Sequence, residues 1–282
     1  MNKLLLVDGH NLLFQMFFGM PNRILNEDGK DIRGTLGFVG ALLKIIHMTR
    51  PTHVAVFFDG ECKNERKELD AAYKANRPDY SQVPEEENPF SQLPDIYAAL
   101  SYMGIAYAET CDCETDDWMA AYALQYSTEH EVVISSFDSD FFQLITDRVS
   151  ILRYRGDNTV LCTPDYIRNK LGIEPCRYAD YKSLTGDSAD NIKGAKGIGP
   201  KTAAALINRF GTLENVLASA EAIEKPSIRA SLLESGDRLR LNEKMIRLDA
   251  HAALPMPLEA LLYHPNGLTT GQVLYGIGLR RF

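Results

Sequence analysis

Three short apolar runs, residues 4–7, 54–58 and 132–135, read as buried parallel strands, since each is continuous and too short for a helix. Each meets an aspartate at once or within three residues: Asp8, Asp59 and Asp138. Between them, residues 36–48, 93–103 and 117–125 carry apolar side chains at helical spacing. Strand alternating with helix predicts an open parallel α/β sheet. Ligands of such sheets bind outside the carboxyl ends of the strands, so three aspartates at three strand ends are expected in one crevice. Pro78, Pro84, Pro89 and Pro94 interrupt the next stretch around Glu85-Glu86-Glu87, which reads as a long mobile segment attached to the sheet. From about Asp180 the pattern is helical with a glycine-rich turn. An α/β domain over 1–175 and a smaller helical domain over 176–282 are the expected division.

The 282 residues suffice for one or two domains with a real core. No apolar run nears the roughly 20 residues that span a bilayer, and the N-terminal run is too short for a signal peptide. A soluble cytoplasmic protein is expected. Cys62, Cys111, Cys113, Cys162 and Cys176 are odd in number, irregular in spacing and without a Cys-x-x-Cys pair, so reduced thiols are expected rather than a zinc site or disulfides. His10, His47, His53, His130, His251 and His264 are scattered. No nucleophile elbow or Walker-type loop is present.

What stands out is acid. Asp8, Asp59, Glu114, Asp116, Asp117, Asp138, Asp140, Asp187 and Asp190 fall in separate groups along the chain. Each group has a plain reading: Glu114, Asp116 and Asp117 serve equally as caps of a following helix, Asp138-Ser139-Asp140 as a turn, and Asp187 with Asp190 as another cap. Together they form the oxygen-rich, highly charged set that hard divalent cations such as Mg²⁺ require. Asp28, Asp31, Asp112, Asp147 and Asp157 read as ordinary surface or turn residues. The net charge of −8 is unusual for a nucleic-acid binder, but removing the nine clustered acids leaves +1. A metal-activated water is then the natural nucleophile.

Two basic features flank this set. After Asp59, the side chains of Arg66, Lys74 and Arg77 fall at helical spacings that could share one face, either as a solvated helix or as a grip on a phosphate beside the metals. Further on, Gly194-Ala195-Lys196-Gly197-Ile198-Gly199-Pro200-Lys201-Thr202-Ala203 has the form of a helix-hairpin-helix turn. Its helix N-terminal N–H groups suit a backbone phosphate, and Lys193, Lys196 and Lys201 surround it.

Taken together, these motifs resemble the flap endonuclease/5′→3′ exonuclease family, which includes the 5′-nuclease domain of bacterial DNA polymerase I. They are Leu6-Val7-Asp8-Gly9, Phe58-Asp59, Tyr73-Lys74-Ala75-Asn76-Arg77-Pro78, Glu114-Thr115-Asp116-Asp117, Asp138-Ser139-Asp140, and the run from Leu184 through Asp187 and Asp190 to Ala203. The resemblance covers essentially the whole chain. It implies a PIN-like parallel-sheet nuclease domain, a helical arch at about 63–100, and a helix-three-turn-helix DNA-binding domain. It implies structure-specific cleavage of DNA at 5′ ends and flaps, on flaps, 5′ overhangs and nicked or gapped duplexes in replication and repair. It implies two Mg²⁺ ions, with Mn²⁺ as substitute. Asp8, Asp59, Glu114, Asp116 and Asp117 would surround the first, and Asp138, Asp140, Asp187 and Asp190 the second. As catalytic residues, Lys74 would be the lysine at the base of the arch near the attacked phosphate and Arg66 a supporting basic residue, and a K⁺ ion would sit at the glycine turn. DNA contacts would come from Tyr73, Arg77, Lys182, Lys193, Lys196, Gly197, Gly199, Lys201 and Thr202. One position departs: Gln15 stands where the family usually has an arginine, which leaves room for a DNA-structure binder with weak or no catalysis. A PIN-type ribonuclease is a further alternative, disfavoured by the glycine turn. The resemblance points to a free-standing bacterial paralogue of the polymerase-fused form.

Overall fold

The computed structural model describes residues 2–20, 22–60, 65–111 and 113–280. Cys62, Lys63 and Asp112 lie outside them. Six strands form one sheet: β1 (Lys3–Asp8), β2 (His53–Phe58), β3 (Ala106–Glu109), β4 (Glu131–Ser135), β5 (Val149–Arg153) and β6 (Val160–Cys162), in the order β3-β2-β1-β4-β5-β6. All pairings are parallel except β5 with β6. That exception has a local cause: only residues 154–159 link the two strands, too few for a parallel crossover. The chain winds outward one way through β2 and β3, then restarts beside β1 at β4. The reversal point therefore lies between β1 and β4, where Asp8 and Asp138 emerge.

Helices cover both faces. On one side lie α1 (Gly9–Gly19), α2 (Arg33–Thr49) and, after the short α3 (Glu65–Leu69), α4 (Leu93–Met103). Leu5, Val7, Val54, Val56 and Phe58 pack there with Leu13, Phe38, Leu42 and Ile96. On the other side lies α5 (Thr115–Tyr126), followed by α6 (Pro164–Leu171), α7 (Tyr178–Thr185), α8 (Pro200–Phe210), α9 (Leu213–Ala218) and α10 (Pro226–Ile246). Leu4, Leu6, Ala55 and Phe57 join a core with Trp118, Tyr122, Leu184, Leu206 and Leu239. Odd and even residues of one strand thus serve two cores, as a two-residue side-chain period requires.

Three expectations need correction. The helical domain does not extend to residue 282: Tyr263 N–H donates to Thr52 C=O at 2.9 Å, and α11 (Thr270–Gly276) packs Val273 into the α2–α4 side of the sheet. The tail returns because that face still has apolar surface to cover. The arch segment is not a long helix. After α3 the chain runs through turns to residue 76, then single 3₁₀ turns at Tyr80–Gln82, Glu85–Glu87 and Pro89–Gln92, the first and last capped by Asp79 and Asn88. Four prolines in 17 residues forbid longer helices, and the arch range of 63–100 overlaps α4, which is the core helix expected at 93–103 and buries Ile96, Leu100 and Met103. Asp31, read as a surface residue, is buried and paired with Arg23 and Arg33. Among the described residues no helix is long and apolar enough to cross a membrane.

Candidate metal centre

Asp8 closes β1 and at once caps α1, its Oδ1 accepting from Asn11 N–H at 3.0 Å. The turn is tight because Gly9 lies against the Phe58 ring; a Cβ there would stand 2.4 Å from a ring carbon. Ser136 Oγ donates to Asp8 Oδ2 at 2.8 Å, and Asn11 Oδ1 accepts from Phe137 N–H at 3.0 Å, which ties the end of β4 to the start of α1. Asp59, at the end of β2, accepts from Thr115 N–H at 2.9 Å, and His10 Nδ1 lies 4.0 Å from its Oδ2. Asp116 sits in the first turn of α5. Asp138 Oδ1 accepts from Asp140 N–H at 2.8 Å.

Asp8, Asp59, Asp116 and Asp138 lie close enough for their charges to act on one another. Burial pushes the Asp8 carboxyl up to about 6; the Asn11 N–H pulls it down, and the charges of Asp59 and Asp138 add to the rise. Asp116 is raised well above the carboxylate range by burial, then by Asp138 and Asp8. Alongside, Asp140, Asp187 and Asp190 each bring a carboxylate oxygen within 4.8 Å of the others. Burial lifts Asp140 to about 7, although Lys182 opposes the rise.

The chain supplies its own cations to this crevice, which the spacing of residues did not reveal. Arg66, expected to be catalytic, is 9% exposed and spent: its guanidinium donates to both oxygens of Asp117 (2.9 and 2.7 Å), to Glu114 at 2.8 Å and to the Met245 carbonyl at 2.9 Å. Asp117 also accepts from Asp249 N–H at 2.9 Å, so both its oxygens are engaged and its side-chain partner is Arg66. Glu114 receives Arg66, Lys74 Nζ at 2.6 Å and the Tyr73 hydroxyl at 3.2 Å. Tyr73, expected to contact DNA, is 4% exposed and packs with Ile192, Met245 and Ile246. Lys182, also expected at the DNA surface, is 6% exposed, with Nζ 2.5 Å from both Asp140 Oδ1 and Asp187 Oδ2. Arg77 is exposed but pairs with Asp190 at 2.8 Å. Nine carboxylates against Arg66, Lys74, Arg77 and Lys182 leave five negative charges.

Arg66, Lys74 and Arg77 do not share a helical face. α3 stops at Leu69, and Lys74 has φ of 54°, a left-handed turn secured by its N–H to the Asp190 carbonyl at 3.0 Å. Asn76 and Asn191 add bonds between this turn and the loop bearing Asp187 and Asp190. Gln15 Nε2 donates to the Tyr154 carbonyl at 2.5 Å, a neutral tie to the end of β5.

The glycine turn continues from the hairpin that carries Asp187. Gly186, in β7 (Gly186–Asp187), and Gly194, just after β8 (Ile192–Lys193), cross so closely that a Cβ on either would meet backbone atoms at 2.3–2.6 Å. Asn242, wholly buried in α10, donates to the Ser183 and Lys193 carbonyls and clamps the hairpin. Ile198 is buried beneath the turn, while Lys193, Lys196, Gly197, Gly199 and Lys201 are exposed and Thr202 partly so, at the start of α8.

The metal-free crevice should show itself in stability. Asp8 and Asp140 bind protons more readily in the folded state than in the unfolded one. The stability this gives is fully present below about pH 4 and is lost as pH rises through about 6 and 7. In chelator, denaturant unfolding from pH 5 to 8 should lose about 1–3 kcal/mol. A flat or rising profile would contradict the carboxylate environment described.

Comparison with known proteins places this architecture. The family model for the 5′-3′ exonuclease N-terminal resolvase-like domain matches residues 3–172, and that for the 5′-3′ exonuclease C-terminal SAM fold matches residues 173–267. DNA polymerase I of Rhizobium leguminosarum is 37% identical over 271 residues, covering 93% of this chain and 26% of the polymerase; the chain thus spans about a quarter of that relative. A 5′-3′ exonuclease of Aquifex aeolicus is 31% identical over 250 residues, 88% of this chain and 82% of that protein. The flap endonuclease of bacteriophage T5, solved as a pseudo-enzyme–product complex with DNA and metal ions, superposes with a TM-score of 0.72 at 25% identity, covering 89% of this chain and 90% of that one. The chain belongs to the 5′-3′ exonuclease family.

Proposed function

We propose that the protein is a structure-specific 5′ nuclease that hydrolyses DNA phosphodiester bonds at 5′ ends and flaps, acting in the cytoplasm in replication and repair. The observation that carries this reading is the convergence of Asp8, Asp59, Asp116 and Asp138 at the reversal point of the sheet, beside the triad Asp140, Asp187 and Asp190. The donor set fits hard divalent cations: it is all oxygen, partly buried and five charges in excess of its own cations. Asp8, Asp59, Asp116 and Asp138 would hold one ion, and Asp140, Asp187 and Asp190 a second, with Mg²⁺ the natural occupant and Mn²⁺ a substitute. Such ions lower the pKa of an attacking water and neutralise charge on the leaving oxygen.

The remaining work falls to side chains of the chain. Glu114, braced by Arg66 and Tyr73, holds Lys74 beside the carboxylates, where its ammonium would meet a phosphate oxygen. Arg77 stands exposed one turn on. The N–H groups at the start of α8, with Lys193, Lys196 and Lys201, suit a duplex backbone, and a K⁺ ion at the glycine turn would add to that hold. Both supports read shape and charge rather than bases.

A 5′-labelled flap DNA and its RNA counterpart, each with Mg²⁺ or Mn²⁺, test the reading. Cleavage of the DNA near the flap junction is expected, and an inert DNA flap bound without turnover would leave only a binding role, the reading motivated by Gln15. Lys74→Ala should slow single-turnover cleavage by about 10²-fold. An unchanged rate would remove Lys74 from the chemistry.

A further inference from the structure

The two halves of the carboxylate cluster are unequally furnished. Asp8 and Asp138 accept hydrogen bonds from neutral donors: Asn11 N–H, Ser136 Oγ and Asp140 N–H. In the other half all three carboxylates already hold a side-chain cation. Lys182 Nζ lies 2.5 Å from Asp140 Oδ1 and 2.5 Å from Asp187 Oδ2, and Arg77 Nη2 lies 2.8 Å from Asp190 Oδ1. The third N–H of the Lys182 ammonium reaches Ser139 Oγ at 3.2 Å, so its three donors are all used. Arg77 is half exposed. Lys182 is 6% exposed, on a helix whose other residues are nearly all buried, and it belongs to the site as firmly as the carboxylates do.

Asp140 and Asp187, both bound by Lys182, belong to the same triad that would hold a cation, each residue offering a carboxylate oxygen within 4.8 Å of the others. Two cations a few ångströms apart repel strongly in a partly buried site. We propose that Lys182 is the resident cation of the second carboxylate cluster, and that a divalent ion loads there only by displacing its ammonium from Asp140 and Asp187. This rests on the metal-nuclease reading of the crevice. It makes Lys182 a positioning residue with two opposed effects. It keeps three crowded carboxylates compatible with a folded, metal-free chain, and it sets how weakly the second ion binds. Without it the triad would hold a divalent ion more tightly, and the chain would depend on that ion for stability.

Mn²⁺ titration of the metal-free protein, without DNA, separates these effects. Wild type should show one tight and one weak class of site by calorimetry or by the free-Mn²⁺ resonance signal. In Lys182→Gln and Lys182→Met, the weak class should tighten at least tenfold and the tight class move less than twofold. Both variants should melt below wild type in chelator and gain more than wild type from Mn²⁺. A lysine that merely props the site open would give the reverse, a weaker second class, and that result, or no change, overturns the proposal. Wild type can be read without any substitution: the ¹⁵Nζ resonance of Lys182 should shift as Mg²⁺ fills the weak class, and a resonance unmoved at saturation also overturns it. Two filled classes with an indifferent Lys182 would sink this assignment alone. A wild-type chain that binds no divalent ion would sink the metal-nuclease reading with it.

Discussion

Asp116→Asn is expected to slow cleavage of a 5′-flap DNA by about 10³-fold or more while raising the melting temperature of the metal-free protein. The two effects share one cause. Asp116 sits at the N-terminal turn of α5, buried with Asp138, Asp8 and Asp59 close enough to raise its pKa, while Lys74 opposes them. Asparagine keeps the shape but removes the charge. In chelator that relieves like-charge repulsion, and a gain of about 0.5–2 kcal/mol is the usual yield of such a change. With metal present the same change removes a ligand charge. A bound ion contributes several kcal/mol of transition-state charge stabilisation, and 10³ corresponds to about 4 kcal/mol. Single-turnover cleavage and chelator melts of one preparation test both. Retained cleavage would remove Asp116 from the metal set, and a drop in metal-free stability would show that its charge is not a burden on the fold.

Such a trade-off could be anticipated from the sequence only in part. The strands that carry Asp8, Asp59 and Asp138 were legible because β1, β2 and β4 are buried on both faces and read as unbroken apolar runs. β3 was not: Ala106, Tyr107 and Ala108 are half-buried at the sheet edge, and four residues carry little periodic signal. α1 escaped notice because Leu12, Leu13, Phe14, Met16, Phe17 and Phe18 leave no polar stripe. The acidic residues were visible as types and spacings, but their partners were not. Lys182 reads like any lysine in a short helix, since Asp140 lies 42 residues away. Tyr73 and Arg66 stand in a charged stretch that looks solvated, and only the packing of the end of α10 against α3 buries them. Ser136 and Asn11, which fix the Asp8 carboxylate, have no distinctive sequence signal at all. Residue type thus announced the anionic half of the site, whereas the cationic half depends on tertiary contacts between distant segments.

Arg66→Ala is expected to cost about 3–5 kcal/mol of stability, the usual penalty for leaving a buried charge without its partner. For a chain of this size that lowers the melting temperature by on the order of 10 °C. The Arg66 fork holds four groups from two distant segments: Asp117 and Glu114 at the start of α5, and the carbonyls of Met245 and Arg247 at the end of α10. Its loss strands Asp117, which keeps only the Asp249 N–H, and frees the end of α10 from α5. Asp117→Asn in the Arg66→Ala background should therefore recover part of the stability, because the stranded charge is gone, whereas Asp117→Asn alone should destabilise. A double-mutant cycle on chemical unfolding measures that coupling, expected at 0.5–3 kcal/mol. The cycle also separates two roles for Arg66. If it acts on the reacting phosphate, the doubly substituted protein stays as slow as Arg66→Ala at a temperature where both are folded. If it braces Glu114 and Asp117, as the geometry indicates, restoring the fold restores most of the single-turnover rate. Recovery of stability without recovery of rate would return Arg66 to the chemistry.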